Sequence, residues 1–286
     1  MPEFPVPPSA RRTSVLITGA AGGLGRLLGR NFARSYSLSL LDCRPLGFAS
    51  PLPFHQIDLA VQPDLSAFLP GVETILHFAG IPTAQASWED LLAANVLATQ
   101  NVLREALRLG CRRVILASSV QVMDGYPAGT DITPDLPVWP VNPYAVSKAC
   151  AEAVAARFGR KAGLSVISLR LGWVLPRFDW RITPGSPYLD RILTEADFLR
   201  VVRAAVERGP DASFEIHHAL SDNRRKRLNI DSARAALGYS PRDDSYKIAP
   251  RNIPGMVRSA GISLRKRMAA LRRRSRGQEE HPHAAG

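Results

Sequence analysis

The sequence has few of the features that mark secreted, membrane-spanning or metal-binding proteins. Only three of its 286 residues are cysteines, and Cys43, Cys111 and Cys150 form no C-x-x-C pair. We therefore expect reduced thiols in a cytoplasmic protein. No apolar run is long enough to cross a bilayer, and the first residues do not have the pattern of a signal peptide. The six histidines form no ligand pattern, so we expect no metal site.

Positive charge is abundant but unevenly distributed. The net charge is +12, and residues 251–286, with nine basic and two acidic side chains, carry +7 of it. Apolar residues recur in this tail at helical spacing, so a basic amphipathic helix could contact an anionic membrane or nucleic acid. We favour the alternative, a solvated and flexible extension, because basic runs are often disordered. The apolar positions are Val257, Ala260, Leu264, Met268 and Leu271.

Short apolar runs alternate with helical patterns over the first 175 residues. The longest helices are predicted over Trp88–Leu109 and Asn142–Lys161. This alternation predicts an α/β fold, a doubly wound parallel sheet with helices on both faces. We divide the chain into a flexible segment over residues 1–12, a main domain over 13–175, a small substrate-binding or lid portion over 176–250 and the basic tail over 251–286.

A glycine-rich turn joins the first predicted strand to the first predicted helix. Its spacing is Gly19-x-x-Gly22-x-x-Gly25, with Gly23 and Leu24 between the last two glycines. Glycines let the backbone turn sharply and approach a ligand closely, and the following helix presents free N–H groups and a positive dipole. The turn is therefore a candidate site for the pyrophosphate of a dinucleotide, with a plain strand–helix turn as the alternative.

An aspartate ends the second predicted strand. Asp42 lies 23 positions after Gly19, where a carboxylate can accept hydrogen bonds from the adenosine ribose hydroxyls and repel a 2′-phosphate. This favours NAD over NADP, although the nearby Arg44 could accommodate the phosphate. A turn-forming aspartate is the alternative.

Three side chains form a candidate catalytic group. Tyr144 and Lys148 are four positions apart on a helix that Asn142 can cap, so the phenol and the ammonium share one face. We expect the ammonium to lower the tyrosine pKa, as a general base needs. Ser119 follows the fifth predicted strand and can hold a substrate oxygen, with a turn-capping serine as the alternative. Asparagine is unfavourable inside a helix. We therefore expect Asn95 either to orient Lys148 or to lie on the surface.

In this order, the motifs resemble the extended short-chain dehydrogenase/reductases of the NAD-dependent epimerase/dehydratase group. The resemblance runs from Val15 to about Pro176. It also includes Asp58-Leu59, His77-Phe78-Ala79-Gly80 and Arg170-x-Gly172.

This resemblance implies a Rossmann fold over residues 13–175 with bound NAD(H). It further implies Tyr144 as the acid/base, Lys148 on the nicotinamide ribose and Ser119 polarising the reacting oxygen. The implied cofactor contacts, with Asp58 and Leu59 flanking the adenine, are Gly19, Gly22, Gly23, Leu24, Gly25, Asp42, Asp58, Leu59, Ala79, Gly80, Asn95, Tyr144 and Lys148.

Within this family, the sequence looks most like the uronate dehydrogenases, which oxidise the anomeric carbon of a hexuronic acid. The resemblance implies a sugar or sugar acid as substrate, contacted by Thr83, Val120, Gln121 and Arg181, with Arg181 clamping a carboxylate. Two positions depart from the pattern, because Val120-Gln121 replaces Asn-His and Pro82-Thr83 replaces a serine. The matching stretches are Ala117-Ser118-Ser119, Gly125-Tyr126-Pro127, Tyr144-Ala145-Val146-Ser147-Lys148, Glu195-Ala196-Asp197-Phe198 and Leu237-Gly238-Tyr239.

Two other functions stay open. Nucleotide-sugar epimerases or dehydratases usually carry a larger C-terminal domain than the roughly 75 residues between Leu175 and the tail. A non-catalytic NAD-binding sensor is disfavoured by the intact Ser119, Tyr144 and Lys148. By analogy with relatives that pair through the two long helices, we expect a homodimer.

Overall fold

A computed structural model describes residues 12–61, 63–68, 71–209, 213–252, 257–258 and 261–262. Within these ranges, seven strands form one parallel sheet and two more form a small second sheet. The strands are β1 (Ser14–Thr18), β2 (Ser37–Asp42), β3 (Phe54–Gln56), β4 (Thr74–His77), β5 (Arg113–Ser119), β6 (Ser165–Leu171), β7 (Trp173–Leu175), β8 (Ile192–Thr194) and β9 (Phe214–Ala219).

The main sheet has the strand order β3-β2-β1-β4-β5-β6-β9, and all its pairs are parallel. Six of these strands reproduce the order 3-2-1-4-5-6 of a doubly wound Rossmann sheet. The predicted fold class is therefore confirmed. In such a sheet the strand order reverses beside β1, and ligands bind in the crevice outside the carboxyl ends of the strands.

Helices cover both faces of this sheet. They are α1 (Gly23–Phe32), α2 (Trp88–Leu91), α3 (Ala98–Arg108), α4 (Pro143–Ala162), α5 (Glu195–Glu207), α6 (Asp231–Leu237) and α7 (Ser245–Ile248). A π-helical segment, Leu92–Leu97, joins α2 to α3, so one long helix runs where the sequence predicts one. The Asn142 side chain caps α4 by accepting a hydrogen bond from Ala145 N at 2.9 Å, as predicted.

The core lies in two layers because successive strand residues point to opposite faces of the sheet. On β1, Val15 and Ile17 face the layer that contains Phe32 of α1 and Phe198 of α5. Leu16, between them, faces the layer beneath α3 and α4. Both faces of β1 are therefore buried, as expected for a parallel sheet between two layers of helices.

The main sheet continues past the domain boundary that the sequence predicts at Leu175. The strand β9 pairs with β6 over six residues, and α5 packs its buried face onto the same sheet. Both lie beyond the boundary, because the last crossover returns the chain to the sheet edge. In the ranges that the structure describes, no helix is both long and apolar enough to span a membrane. The predictions for residues 1–12 and 251–286 concern residues that lie almost wholly outside those ranges.

Candidate active site

A crevice made of two adjoining cavities follows the carboxyl ends of the strands. Its first part is a cavity of about 420 Å³ beside the glycine turn and Asp42. Its second part, of about 490 Å³, contains the predicted catalytic group. The two cavities share four wall residues, Phe78, Gly80, Ile81 and Pro82.

The glycine turn is packed so closely that side chains would not fit at two positions. Gly19 has a φ of +72°, and a Cβ there would lie 2.6 Å from Ala79 N. A Cβ on Gly25 would overlap the Gly19 carbonyl oxygen. Because Gly22 precedes α1 as a residue without a side chain, the first N–H groups of α1 stay available to an anion. This cradle fits the pyrophosphate of a dinucleotide.

Asp42 is buried at the edge of the first cavity. Its Oδ2 accepts a hydrogen bond from Ala21 N at 2.9 Å, and its Oδ1 accepts one from Arg44 N at 3.0 Å. The exposed Arg44 guanidinium lies 3.5 Å from the carboxylate. Asp58 and Leu59 line the same cavity, so the structure brings the predicted adenosine contacts together.

Ser119, Tyr144 and Lys148 all line the second cavity. Ser119 Oγ accepts a hydrogen bond from Gln121 N at 3.2 Å, and its hydroxyl lies near enough to the Tyr144 phenol to affect the pKa of that group. Lys148 Nζ donates to the Ala117 carbonyl at 2.9 Å and lies 5.9 Å from the centre of the Tyr144 ring. The three predicted catalytic side chains therefore meet at the end of β5.

The expectation that Lys148 lowers the Tyr144 pKa is wrong for this arrangement. Burial raises the Tyr144 pKa, and the nearby Ser119 hydroxyl opposes the rise only in part. Burial also lowers the pKa of Lys148 to about 8, against the opposing charge of Glu152. The physical reason is that both groups lose water, which disfavours the charged form of each.

A buried ion pair lies behind this group. Arg170 on β6 donates to Glu152 on α4 through two hydrogen bonds of 2.9 Å. Ser118 Oγ donates to the same carboxylate at 2.6 Å. Because Glu152 is one helical turn from Lys148, the pair couples β5 and β6 to the helix that carries both catalytic residues. The Arg170-x-Gly172 motif was noted in the sequence, but this role was not predicted.

Asn95 is buried in the π-helical segment rather than at the surface. Its Oδ1 accepts from Ile81 N at 2.8 Å, and its Nδ2 donates to Ile81 O at 3.1 Å and to Ser147 Oγ at 2.8 Å. Among the described residues, it has no direct hydrogen bond to Lys148. Its hydrogen bonds instead connect Ile81, in the wall that both cavities share, to Ser147 of α4.

A hydrogen-bonded chain beneath this wall was not predicted. Ala79 N donates to Thr18 Oγ1 at 3.2 Å, and Thr18 Oγ1 lies 2.8 Å from His77 Nδ1. His77 Nε2 lies 3.1 Å from Thr99 Oγ1, which donates to Asn95 O at 2.7 Å. These directions assign the Nε2–H tautomer, and burial lowers the His77 pKa to about 3. The available signal was the i, i+4 spacing of Asn95 and Thr99 in the otherwise apolar stretch over residues 91–99.

The predicted substrate contacts separate into two groups. Gln121 and Arg181 line the second cavity, whereas Thr83 and Val120 are not among its described wall residues. Val120 is 1 % exposed and packs into the core, because the turn after β5 directs Gln121 to the cavity and Val120 away from it. Thr83 bonds to Gln85 on the outer side of the Pro82 loop. The sequence reasoning missed an apolar wall formed by Leu24, Phe78, Leu171, Trp173, Val174 and Leu175.

The sheet order and the crevice together define the class of protein. A glycine turn opening a helix, a carboxylate after the second strand and a Ser–Tyr–Lys group are characteristic of a dinucleotide-dependent oxidoreductase.

Comparison with known proteins identifies the family. The chain belongs to the NAD-dependent epimerase/dehydratase family, whose model matches residues 15–182, and NAD is its cofactor. It is 29% identical to an NAD-dependent glucose-6-phosphate dehydrogenase of Haloferax volcanii, over 81% of this chain and 94% of that protein. It is 32% identical to a uronate dehydrogenase of Pseudomonas syringae pv. tomato, over 81% and 82%.

A solved structure agrees with these relatives. A mutant uronate dehydrogenase from Agrobacterium tumefaciens, complexed with NAD, superposes with a TM-score of 0.76 at 26% identity. The match covers 85% of this chain and 90% of that one. The family resemblance inferred from the motifs is therefore confirmed.

Proposed function

We propose that this enzyme oxidises a hydroxyl-bearing carbon of a sugar or sugar acid, with hydride passing to NAD. One observation carries the proposal: the cavity that contains Ser119, Tyr144 and Lys148 adjoins the cavity beside the glycine turn, and the two share four wall residues. A substrate in the second cavity would therefore lie next to a dinucleotide in the first. The sugar and sugar-acid dehydrogenases among the relatives support this choice of substrate.

The reaction divides between the cofactor and the chain. When bound, NAD supplies the hydride acceptor. Ser119 holds the substrate hydroxyl, and Tyr144 accepts its proton as the C–H bond breaks and the C=O bond forms. Lys148 would bind the nicotinamide ribose. In the first cavity, the glycine turn holds the pyrophosphate and Asp42 the adenosine ribose.

Activity on a panel of aldoses, sugar acids and lactones tests the proposal, with NADH absorbance as the readout. Tyr144→Phe removes the proton acceptor, so we expect kcat to fall by about 10²–10⁴-fold while NAD binding is retained. Tyr36→Phe is the matched control, because Tyr36 directly precedes β2 and lies at the amino ends of the strands, where its hydroxyl donates to Glu207. Binding of NAD without turnover of any substrate would contradict the proposal and favour a sensor.

We also propose that the chain forms a homodimer through the outer face of the long helices. This face carries several exposed apolar side chains. Leu97→Glu should convert a dimer to a monomer in light scattering, whereas Val61→Glu, which alters an exposed valine outside these helices, should not. A monomeric wild type would rule out the pairing. The exposed side chains are Trp88, Leu92, Leu97, Leu107 and Val146.

A further inference from the structure

The cation predicted to clamp a substrate carboxylate already holds a carboxylate of its own chain. Arg181 Nε donates to Asp179 Oδ1 at 2.7 Å, and Arg181 Nη2 donates to Asp179 Oδ2 at 2.9 Å. The Arg181 backbone N–H donates to Oδ1 as well, at 2.9 Å. Bidentate pairs of this kind are among the stronger charged hydrogen bonds in proteins. A substrate carboxylate would have to displace Asp179 or add a second negative charge beside it.

The rest of the fold fixes the turn that carries this pair. The side chain of Asn252, which is completely buried, donates to Asp179 O at 2.7 Å and to Ile182 O at 3.1 Å. Within the turn, Asp179 N bonds to Pro176 O and Ile182 N bonds to Asp179 O, each at 3.0 Å. The backbone of this turn therefore cannot move away without breaking contacts to a segment about 70 residues further along the chain.

The remaining wall offers little to an anion. Among the described wall residues, Lys148 is the second cation, and its ammonium bonds to the Ala117 carbonyl. Much of the wall is apolar and includes Trp173 and Leu175. Transfer of a carboxylate into such surroundings is costly unless a cation pairs with it. An uncharged hydroxylated molecule escapes this cost and can still accept a hydrogen bond from Arg181 Nη1.

We propose that the substrate is an uncharged sugar and that Asp179 is the specificity-determining residue. This inference rests on the proposed function and refines it. Asp179 neutralises Arg181, so the guanidinium acts as a hydrogen-bond donor to a hydroxyl and not as a carboxylate clamp. Removal of the Asp179 charge frees the cation and shifts the preference toward sugar acids.

Paired substrates that differ only at C6 test this inference. We would measure kcat/KM for D-glucose against D-glucuronate and for D-galactose against D-galacturonate, with D-glucose 6-phosphate as a second anion. The wild type should prefer the neutral sugar by at least about 10-fold, and Asp179→Asn should move the ratio about 10–100-fold toward the acid, the range expected for a charged hydrogen bond. Asp222→Asn is the matched control, because it removes a carboxylate that pairs with Arg234 and Lys226 outside the described cavity wall.

Calorimetric binding of the same sugars to the NAD-loaded protein separates the two proposals. Selective binding of neutral sugars without NADH formation would contradict the proposed function and support this inference. Turnover that favours a uronate or the sugar phosphate in the wild type would support the proposed function and contradict this inference. An unchanged ratio in Asp179→Asn, or no binding of any neutral sugar, would also overturn the inference.

Discussion

The two ends of the crevice are built in different ways. The end beside the glycine turn depends on backbone: a Gly19 with positive φ, a Gly25 without room for a Cβ, and the N–H groups of α1. The end beside Arg181 depends on side chains that are brought together from distant segments, as when Asn252 holds the turn of Asp179.

This difference bears on how each end can vary. A backbone cradle recognises the pyrophosphate that every dinucleotide contains, so substitutions there cost binding and folding together. A side-chain wall can exchange one charge for another while the sheet stays the same. Substitutions at the two ends of the crevice should therefore have different effects on folding, cofactor binding and specificity.

The largest effect is expected at the backbone cradle. In Gly25→Ala, the new Cβ would overlap the Gly19 carbonyl oxygen, and backbone there cannot give way. We expect a loss of about 3 kcal/mol or more in the free energy of unfolding and at least about 100-fold weaker NAD binding. Gly29→Ala is the matched control on the same helix, because its Cβ would lie 3.8 Å from Leu40 Cδ2, which is an ordinary contact. Fluorescence titration measures NAD binding, and urea unfolding measures stability. Equal values for the two variants would contradict the proposal that the close packing at Gly25 is needed for the pyrophosphate site.

The next effect tests the ion pair behind the catalytic group. Glu152→Gln leaves the buried Arg170 without its counter-charge, which should cost about 3–5 kcal/mol in urea unfolding. Since Glu152 raises the pKa of Lys148, that pKa should also fall further. Glu207→Gln breaks the exposed pair with Arg203 and should cost about 1 kcal/mol or less. A loss of similar size in both variants would show that the Arg170 pair has no special importance.

The sequence predicted the backbone end of the crevice much better than the side-chain end. The glycine spacing and the position of Asp42 are local signals, and parallel strands place their carboxyl ends along one edge. Tyr144 and Lys148 could be paired because helical spacing alone puts them on one face. The Arg181–Asp179 pair and its anchor at Asn252 depend on a tertiary contact between distant segments. The orientation of Val120 depends on a single turn after β5, and strand alternation does not continue through it.

A third prediction concerns pH and the lysine between the two ends. The Lys148 pKa is about 8 in the folded chain, against an ordinary value of 10.5. Between these values the unfolded chain binds more protons, so this lysine makes stability rise with pH across that window. Below it, the buried charge costs up to about 3 kcal/mol. Lys148→Met should therefore be more stable than the wild type near neutral pH, by about 2 kcal/mol after loss of its hydrogen bond.

That advantage should shrink as pH rises from 8 toward 10.5, and urea unfolding across this range measures it. Lys161→Met, which changes an exposed lysine on the same helix, should show no comparable dependence. Stability curves for Lys148→Met and the wild type that run parallel at every pH would mean that the ammonium is not desolvated as the structure indicates.

The smallest effect tests charge at the backbone end. Asp42→Asn keeps an acceptor for only one of the Ala21 and Arg44 N–H groups, and it removes the charge that would repel a 2′-phosphate. Because Arg44 then lacks its ion-pair partner, it can bind that phosphate. We expect the ratio of NAD to NADP affinity to fall by about 10-fold, with the fold intact. Asp64→Asn, at an exposed pair with Arg108, should leave the ratio unchanged. An unchanged ratio in Asp42→Asn would contradict this prediction and show that a single charge does not set the choice between NAD and NADP here.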